Sequence, residues 1–180
     1  MDTPHPRSGG HTVLVIPVPE LNPWVRERTA FYDASFLSDD EDFVNAHITV
    51  LGPWLPRPGA SDLAAVGAIA SATPAFEYKV AELAAFPGGV IYLDPDPAEP
   101  FAQLTADLAS AFPDFPPYGG AFGSVVPHLT LDQLSPEVSL QSVRTSLGEV
   151  VPTTCRAERI DLQWWENDRC RRLHTWQLTG

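Results

Sequence analysis

Apolar residues follow two spacings along this chain, one typical of strands and the other of helices. An almost continuous apolar run at 13–16 predicts a central strand over 11–18, because strands covered on both faces lack polar alternation. Pro23 and the helical spacing after it predict a helix to about Tyr32. Further strands are predicted at 44–51, 76–84, 90–94, 128–131, 155–162 and 171–178, with helices at 61–72, at 97–111 and after residue 131.

One four-residue pattern occurs twice, as His47-Ile48-Thr49-Val50 and as His128-Leu129-Thr130-Leu131. In an extended strand successive side chains point to opposite faces, so each motif presents an imidazole and a hydroxyl together. Two such strands side by side would bring two imidazoles and two hydroxyls to one cleft. That arrangement suits proton transfer to and from a phosphate ester whose oxygens the hydroxyls hold. A single copy would be an ordinary polar strand face, so the prediction depends on the second.

The chain also repeats its elements after each motif. The two histidines are 81 positions apart (128 − 47). The next two predicted strands begin 29 and 43 residues after His47 (76 − 47 and 90 − 47). Their counterparts begin 27 and 43 residues after His128 (155 − 128 and 171 − 128). This agreement indicates a duplicated unit.

With both motifs intact, the chain resembles the 2H phosphoesterase superfamily, the group of 2'-5' RNA ligase-like proteins and 2',3'-cyclic nucleotide phosphodiesterases. The stretch 46–54, with its Pro-Trp pair, and the approach 116–127 to the second motif are similar to that family's. The resemblance covers about 11–178. It implies one α+β domain over 1–180, with a flexible tail at about 1–10. Two pseudo-twofold-related lobes, built around 47–50 and 128–131, would each be an antiparallel sheet with helices packed outside and a central cleft between the lobes.

The resemblance implies that four residues are catalytic, namely His47, Thr49, His128 and Thr130. Candidates for substrate binding are Trp54, Tyr118, Phe122 and Arg171. The glycine-containing loop around Tyr118 and Phe122 is either a flap that stacks on a base or a structural turn whose aromatics cover the lobe junction. Arg171 either reaches a phosphate with its guanidinium fork or is a surface arginine of a hairpin. Trp54, like the other strand tryptophans, has a place in the core as its alternative.

Charge limits the substrate class. The chain has a net charge of −12 and a pI near 4.6, whereas proteins that grip long polyanions carry a basic stripe. RNA ligase-like members often have a basic residue soon after the second motif, where this chain has Asp132-Gln133-Leu134. A small phosphoester is therefore expected rather than extended nucleic acid. The acidic run 39–42 is interpreted as a solvated, mobile loop, with a metal-binding loop as the alternative.

The sequence gives no sign of a metal, a cofactor or a membrane. Its five histidines are scattered, and no Cys-x-x-Cys occurs. Cys155 and Cys170 are not expected to pair, in agreement with a reducing compartment. No apolar run approaches the ~20 residues that a membrane span requires. We therefore expect a cytoplasmic protein, without cofactor, that acts as a monomer.

These observations lead to one main functional hypothesis. The chain is expected to be a metal-independent phosphoesterase that hydrolyses a small cyclic phosphodiester, such as a 2',3'-cyclic nucleotide, by paired histidine acid–base catalysis. The ordinary histidine pKa of ~6.5 then predicts a bell-shaped pH profile, and the sequence leaves open which histidine is the acid. The alternatives are 2'-5' RNA ligase-like activity on RNA ends, a non-catalytic nucleotide-binding module, and a structural or partner-binding protein.

Overall fold

A computed structural model of the protein describes residues 9–121 and 124–180. In these ranges four α-helices and eight strands alternate along the chain. In order they are β1 (His11–Pro17), α1 (Asn22–Asp33), β2 (His47–Trp54), α2 (Ala60–Ala72), β3 (Phe76–Ala85), β4 (Val90–Asp96), α3 (Glu99–Ala111), β5 (Leu129–Gln133), α4 (Leu140–Leu147), β6 (Thr153–Ala157), β7 (Arg159–Trp165) and β8 (Arg171–Gln177). No helix in this part of the chain is long and apolar enough to cross a membrane.

All eight strands join one antiparallel sheet in the order β6-β3-β4-β5-β2-β1-β7-β8. The sheet is curled, because β6 lies at one edge and β7 near the other although Glu158 alone separates them. The end of the chain fastens the two edges together: the Leu178 amide donates to the Glu158 carbonyl over 2.8 Å, and the Ala75 amide donates to the Thr179 carbonyl over 2.7 Å. The α+β class predicted from the sequence is confirmed.

The sheet order is symmetric about the contact between β5 and β2. The succession β1-α1-β2-α2-β3 is repeated as β4-α3-β5-α4-β7. The last strand of each half pairs with the first strand of the other half, since β3 pairs with β4 and β7 pairs with β1. The duplication is therefore real, but its correspondence differs from the sequence-based one. The predicted strand 155–162 is two strands, and the counterpart of β4 is β1 rather than β8. Pairing between distant strands decides this, and local sequence spacing does not contain it.

The helices of each half pack against strands of the other half. Helix α1 contacts β5, whereas α3 contacts β2. The apolar residues between the motif residues face the core, and both Ile48 and Leu129 are fully buried. Because truncation of a buried leucine or isoleucine to alanine costs ~2–5 kcal/mol, these side chains hold the backs of the two motif strands firmly in place. The opposite faces of the same strands are left for the site.

Candidate active site

The two His-x-Thr motifs lie on neighbouring strands. Ile48 of β2 pairs with Leu129 of β5 in an antiparallel bridge. The antiparallel direction sets His47 on the side of Thr130, and Thr49 on the side of His128. Side chains alternate along a strand, so all four polar residues share the face opposite to the buried Ile48 and Leu129. Each histidine therefore has the hydroxyl of the other motif beside it.

A β-bulge lies at the last residue of each motif. Thr49 pairs with Val15 of β1, and the neighbouring Leu14 pairs with Leu51, so Val50 has no partner on β1. In the other half Thr130 pairs with Tyr92 of β4, and the neighbouring Ile91 pairs with Asp132, so Leu131 has no partner on β4. Bulges re-aim the side chains that follow them and are frequent next to active sites. The symmetric bulges turn Leu51 and Asp132 into equivalent positions.

Both histidines make the same hydrogen bond to the backbone two residues earlier. Nδ1 of His47 lies 2.7 Å from the Asn45 carbonyl oxygen, and Nδ1 of His128 lies 2.7 Å from the Val126 carbonyl oxygen. A carbonyl can only accept, so each Nδ1 carries the hydrogen and each neutral ring keeps its lone pair on Nε2. This fixes the tautomer and the ring orientation of both groups in the form that a general base requires.

The surroundings of the two imidazoles differ. His47 lies 5.4 Å from the Trp165 ring, which in turn packs edge-on against Phe43 at 5.0 Å. Desolvation in this apolar corner lowers the pKa of His47 to about 4; the hydrogen bond to Asn45 opposes the change, and the charge of His128 adds to it. His47 is therefore neutral at neutral pH. The pairing of Ile48 with Leu129 sets the two motifs on neighbouring strands, so the charge of His128 acts on it.

His128 is partly exposed and lies among aromatic side chains. Phe86 and Tyr92 approach its ring at 4.9 and 5.6 Å, both with their planes steeply inclined to it, and Tyr118 stacks on it at 6.1 Å. Neither histidine is sealed from solvent, since both side chains are only partly buried. Both remain available to a ligand.

The motif face opens into a cleft of about 870 Å³, a volume that suits a nucleotide-sized ligand. Its walls include His47, Thr49, Thr130 and Tyr118, and His128 adjoins it through the stacked Tyr118 ring. Within the described ranges the hydroxyls of Thr49 and Thr130 have no hydrogen-bond partner in the protein. Both are thus free to donate to the oxygens of a bound anion.

The predicted substrate-binding residues have different outcomes. Tyr118 lines the cleft, and its role in substrate binding stays a prediction. Trp54 does not line the cleft: it is 3% exposed and packs edge-on against Phe112 at 5.0 Å, because β2 contacts α3 at that end and turns the indole into the core. Arg171 is also outside the cleft, on the edge strand β8, where it lies over the Trp164 ring at 5.6 Å. Phe122 lies outside the described residues.

The acidic run 39–42 is held more firmly than a solvated loop. Asp40 accepts from the Arg172 amide over 2.9 Å, and Asp42 forms a 2.9 Å ion pair with the Arg172 guanidinium. The segment therefore closes over the β7–β8 hairpin. No group of three or more histidine, cysteine or acidic side chains in the described chain is arranged to hold a metal ion. Cys155 and Cys170 are both buried free thiols.

Sequence reasoning missed several residues of the cleft, among them Arg28, Tyr32, Asp132 and Trp165. Asp132 carried a signal, because it replaces the basic residue expected after the second motif. Trp165 carried none, since its place beside His47 depends on β7 pairing with β1. It is fixed there by a 3.0 Å hydrogen bond from its indole to Gln163, whose amide donates to the Val44 carbonyl over 2.8 Å.

Two His-x-Thr strands of an antiparallel α+β fold, with matched histidine tautomers beside one cleft, define a paired-histidine phosphoesterase type of site. The chain belongs to the 2'-5' RNA ligase superfamily, whose sequence model matches residues 17–169.

Comparison with solved structures supports the same fold. E. coli LigT complexed with 3'-AMP superposes with a TM-score of 0.58 at 19% identity, over 96% of this chain and 100% of that one. A protein described as a phosphoesterase gives 0.57 at 17% identity over 96% and 100%. The protein TT0787 of Thermus thermophilus gives 0.58 at 17% identity over 94% and 98%. Comparison with curated protein sequences gives no match.

Proposed function

We propose that the protein is a metal-independent phosphoesterase that hydrolyses a small cyclic phosphodiester, such as a nucleoside 2',3'-cyclic phosphate. The observation that carries the proposal is the matched pair of Nδ1–carbonyl hydrogen bonds, which leave two Nε2 atoms for proton transfer beside two unpaired threonine hydroxyls. Membership of the superfamily supports a phosphoester as the substrate. LigT, which has the same fold, forms a complex with the nucleotide 3'-AMP, and this suggests the chemical class to test here.

The two histidines divide the proton transfers. His47 is neutral because its pKa is lowered, so it takes a proton from a water molecule whose oxygen attacks phosphorus. His128, in its protonated form, gives a proton through Nε2 to the ribose oxygen as the bond from phosphorus to that oxygen breaks. The product is a phosphate monoester with a free neighbouring hydroxyl. Exchange with solvent returns both imidazoles to their starting states.

The threonines stabilise the charge that builds on the non-bridging oxygens. Each hydroxyl lies beside the histidine of the other motif, so the two approach the phosphate from opposite sides. A preorganised donor of this kind is worth ~10²–10³ in rate where the site excludes water, and each proton transfer is worth ~10²–10⁴. Together these effects are large enough to account for enzymatic turnover of a strained cyclic ester.

We further propose a monomer in a reducing cytoplasm that does not act on extended nucleic acid. Two buried free thiols support the reducing compartment. The net charge of −12 opposes association with a polyanion. Light scattering of the purified chain, and its binding to long RNA at low and at physiological salt, test the oligomeric state and the exclusion of long RNA.

The activity is tested with purified protein in EDTA against 2',3'-cyclic nucleotides, ADP-ribose 1'',2''-cyclic phosphate and 2'-5' linked oligonucleotides. The proposal predicts ring opening of a cyclic phosphate to one monoester, undiminished by the chelator. Binding without turnover of every cyclic substrate would favour the nucleotide-binding module instead. Activity confined to 2'-5' linked oligonucleotides would replace the proposal with an RNA ligase-like function.

A further inference from the structure

The positions after the two bulges are structurally equivalent but chemically opposite. Leu51 is 1% exposed and lies in the apolar core, whereas Asp132 is 6% exposed and carries a carboxylate. The leucine shows that an apolar side chain satisfies this place in the fold. A buried ion pair is weak evidence for stability, because desolvation offsets most of its attraction. The carboxylate at 132 therefore calls for a reason other than folding.

Asp132 serves to orient Arg28 of α1. One carboxylate oxygen accepts from Nε of Arg28 over 2.7 Å, and the other accepts from the Tyr32 hydroxyl and, over 2.8 Å, from the Gln133 amide. The carboxylate is thus fully occupied. Its bond to Arg28 uses Nε and leaves the outer pair of guanidinium nitrogens, of which Nη2 makes one long contact of 3.5 Å to Tyr32.

The guanidinium is held in place and faces the cleft. It lies over the rings of Phe31 and Tyr32 at 4.6 and 5.2 Å, which fixes its plane. Among the described residues that line the cleft, Arg28 is the one guanidinium. Nη1 has no protein partner in the part of the chain that the structure describes. A fixed fork with free donors matches the geometry of a phosphate group.

The Arg28 guanidinium is held against β5 by Asp132. Asp132 follows Thr130 by two residues, which separates these two positions by at most about 7 Å along an extended strand. A group bound at Arg28 would therefore be a neighbour of the reacting phosphate within the same substrate. Adjacent phosphates of a ribonucleotide have a comparable separation.

We propose that Arg28, oriented by Asp132 and Tyr32, binds a second phosphate of the substrate and selects for its presence. The preferred substrates are ribonucleotides with a 2',3'-cyclic phosphate and a phosphoryl group on the 5' oxygen, as a monoester or as the diester of a short oligonucleotide. This inference rests on the proposed function of the histidine site. It adds a substrate requirement that the paired motifs themselves do not contain.

The test compares adenosine 2',3'-cyclic phosphate with its 5'-phosphorylated form and with a dinucleotide that ends in the cyclic phosphate. The natural protein should show a kcat/KM about 10- to 100-fold higher for substrates with the second phosphate, the range that one charge-assisted contact supplies. Arg28→Gln should reduce this ratio to near one, mainly through KM. Arg156→Gln removes an equal charge from the edge strand β6 and should preserve the ratio.

A double variant removes the buried charge that Arg28→Gln would leave unpaired. Arg28→Met with Asp132→Leu reproduces the apolar arrangement at Leu51, and it should turn over the unphosphorylated substrate while showing no preference. A role confined to folding, or a contact with the reacting phosphate alone, would lower kcat/KM for all substrates by one common factor. That common factor, or a natural protein without the preference, overturns the proposal.

Equilibrium binding separates this inference from the proposed function. Adenosine 3',5'-bisphosphate and 3'-AMP require no turnover, and calorimetry measures both against the natural protein and Arg28→Gln. Tighter binding of the bisphosphate that Arg28→Gln abolishes supports the second-phosphate site even if no cyclic ester is hydrolysed. Equal binding of the two nucleotides, or binding of neither, contradicts it even if hydrolysis is found.

Discussion

The two halves of the molecule present the same histidine–threonine pair in different surroundings. His47 and His128 make equal 2.7 Å bonds from Nδ1 to a carbonyl two residues back, and each has a threonine two residues ahead. Yet His47 lies beside Trp165, which itself packs against Phe43, while Phe86, Tyr92 and Tyr118 surround His128 beside the cleft. The common backbone geometry leaves Nε2 of both rings available, and the lowered pKa of His47 is the reason that we propose it as the base. A duplicated unit can thus divide one reaction between its copies.

The largest expected effect is the loss of either histidine. His47→Gln and His128→Gln should each reduce kcat by ~10²–10⁴, because each removes one proton transfer from the transition state. The double variant should lose much less than the product of the two factors, since the pair acts as a unit. Steady-state turnover of a cyclic nucleotide measures this. His174→Gln, on the edge strand β8, is the matched control and should be unimpaired.

The threonines test whether the halves are equal in holding the phosphate. Thr49→Val and Thr130→Val remove a hydroxyl with little change of shape, and each should lower kcat by about 10²-fold with a small change in KM. Thr49→Ser and Thr130→Ser should retain activity. Rates that fall for one valine variant and not for the other would show that a single half binds the anion.

Removal of Trp165 should make the two halves more alike. Trp165→Ala admits water to His47, so its pKa should rise from about 4 toward the ordinary ~6.5. The acid limb of the profile of kcat/KM against pH should move upward with it, because the base must be unprotonated. Tyr118→Leu changes the stacking on His128 and should leave this limb in place. An acid limb that does not move in Trp165→Ala would remove His47 from the role of base.

The smallest expected effect is on stability at low pH. The pKa of His47 is about 4 in the folded chain and ~6.5 when unfolded, so the unfolded state binds more protons between these values. The stability due to neutral His47 is complete above about pH 6.5 and is lost as the pH falls toward about 4. Between about pH 7 and 5 the free energy of unfolding should therefore fall by about 1–2 kcal/mol less in His47→Gln than in the natural protein. Urea unfolding at both pH values measures it, with His174→Gln as the unaffected control.

The sequence contained most of the local structure and the four motif residues. Strand alternation was enough to place His47 and Thr49 on one face, because it depends on neighbouring residues alone. It did not contain the division of residues 155–162 into two strands, one at an edge of the sheet and one near the other edge, or the place of β7 beside β1. Those features come from pairing between distant strands. Trp54 was misplaced and Trp165 missed for that reason, since only the curled sheet decides which tryptophan reaches the cleft.

Arg28 shows the same limit. The sequence showed Asp132 as an acidic residue at a position where the family often has a basic one. Its partner Arg28, however, lies on helix α1, 104 positions earlier in the sequence. The contact of α1 with the opposite half of the sheet unites them. A departure from a motif is therefore best judged together with the surface that packs against it.

The central claim is that both imidazoles bind one phosphate. Nitrogen-15 NMR of the histidine rings during titration with inorganic phosphate tests it most directly, with the His47→Gln and His128→Gln variants to assign the signals. We predict that the Nε2 signals of His47 and His128 shift together, with one midpoint and one phosphate per chain. A shift of one ring alone, or two midpoints that differ, would contradict a shared phosphate site.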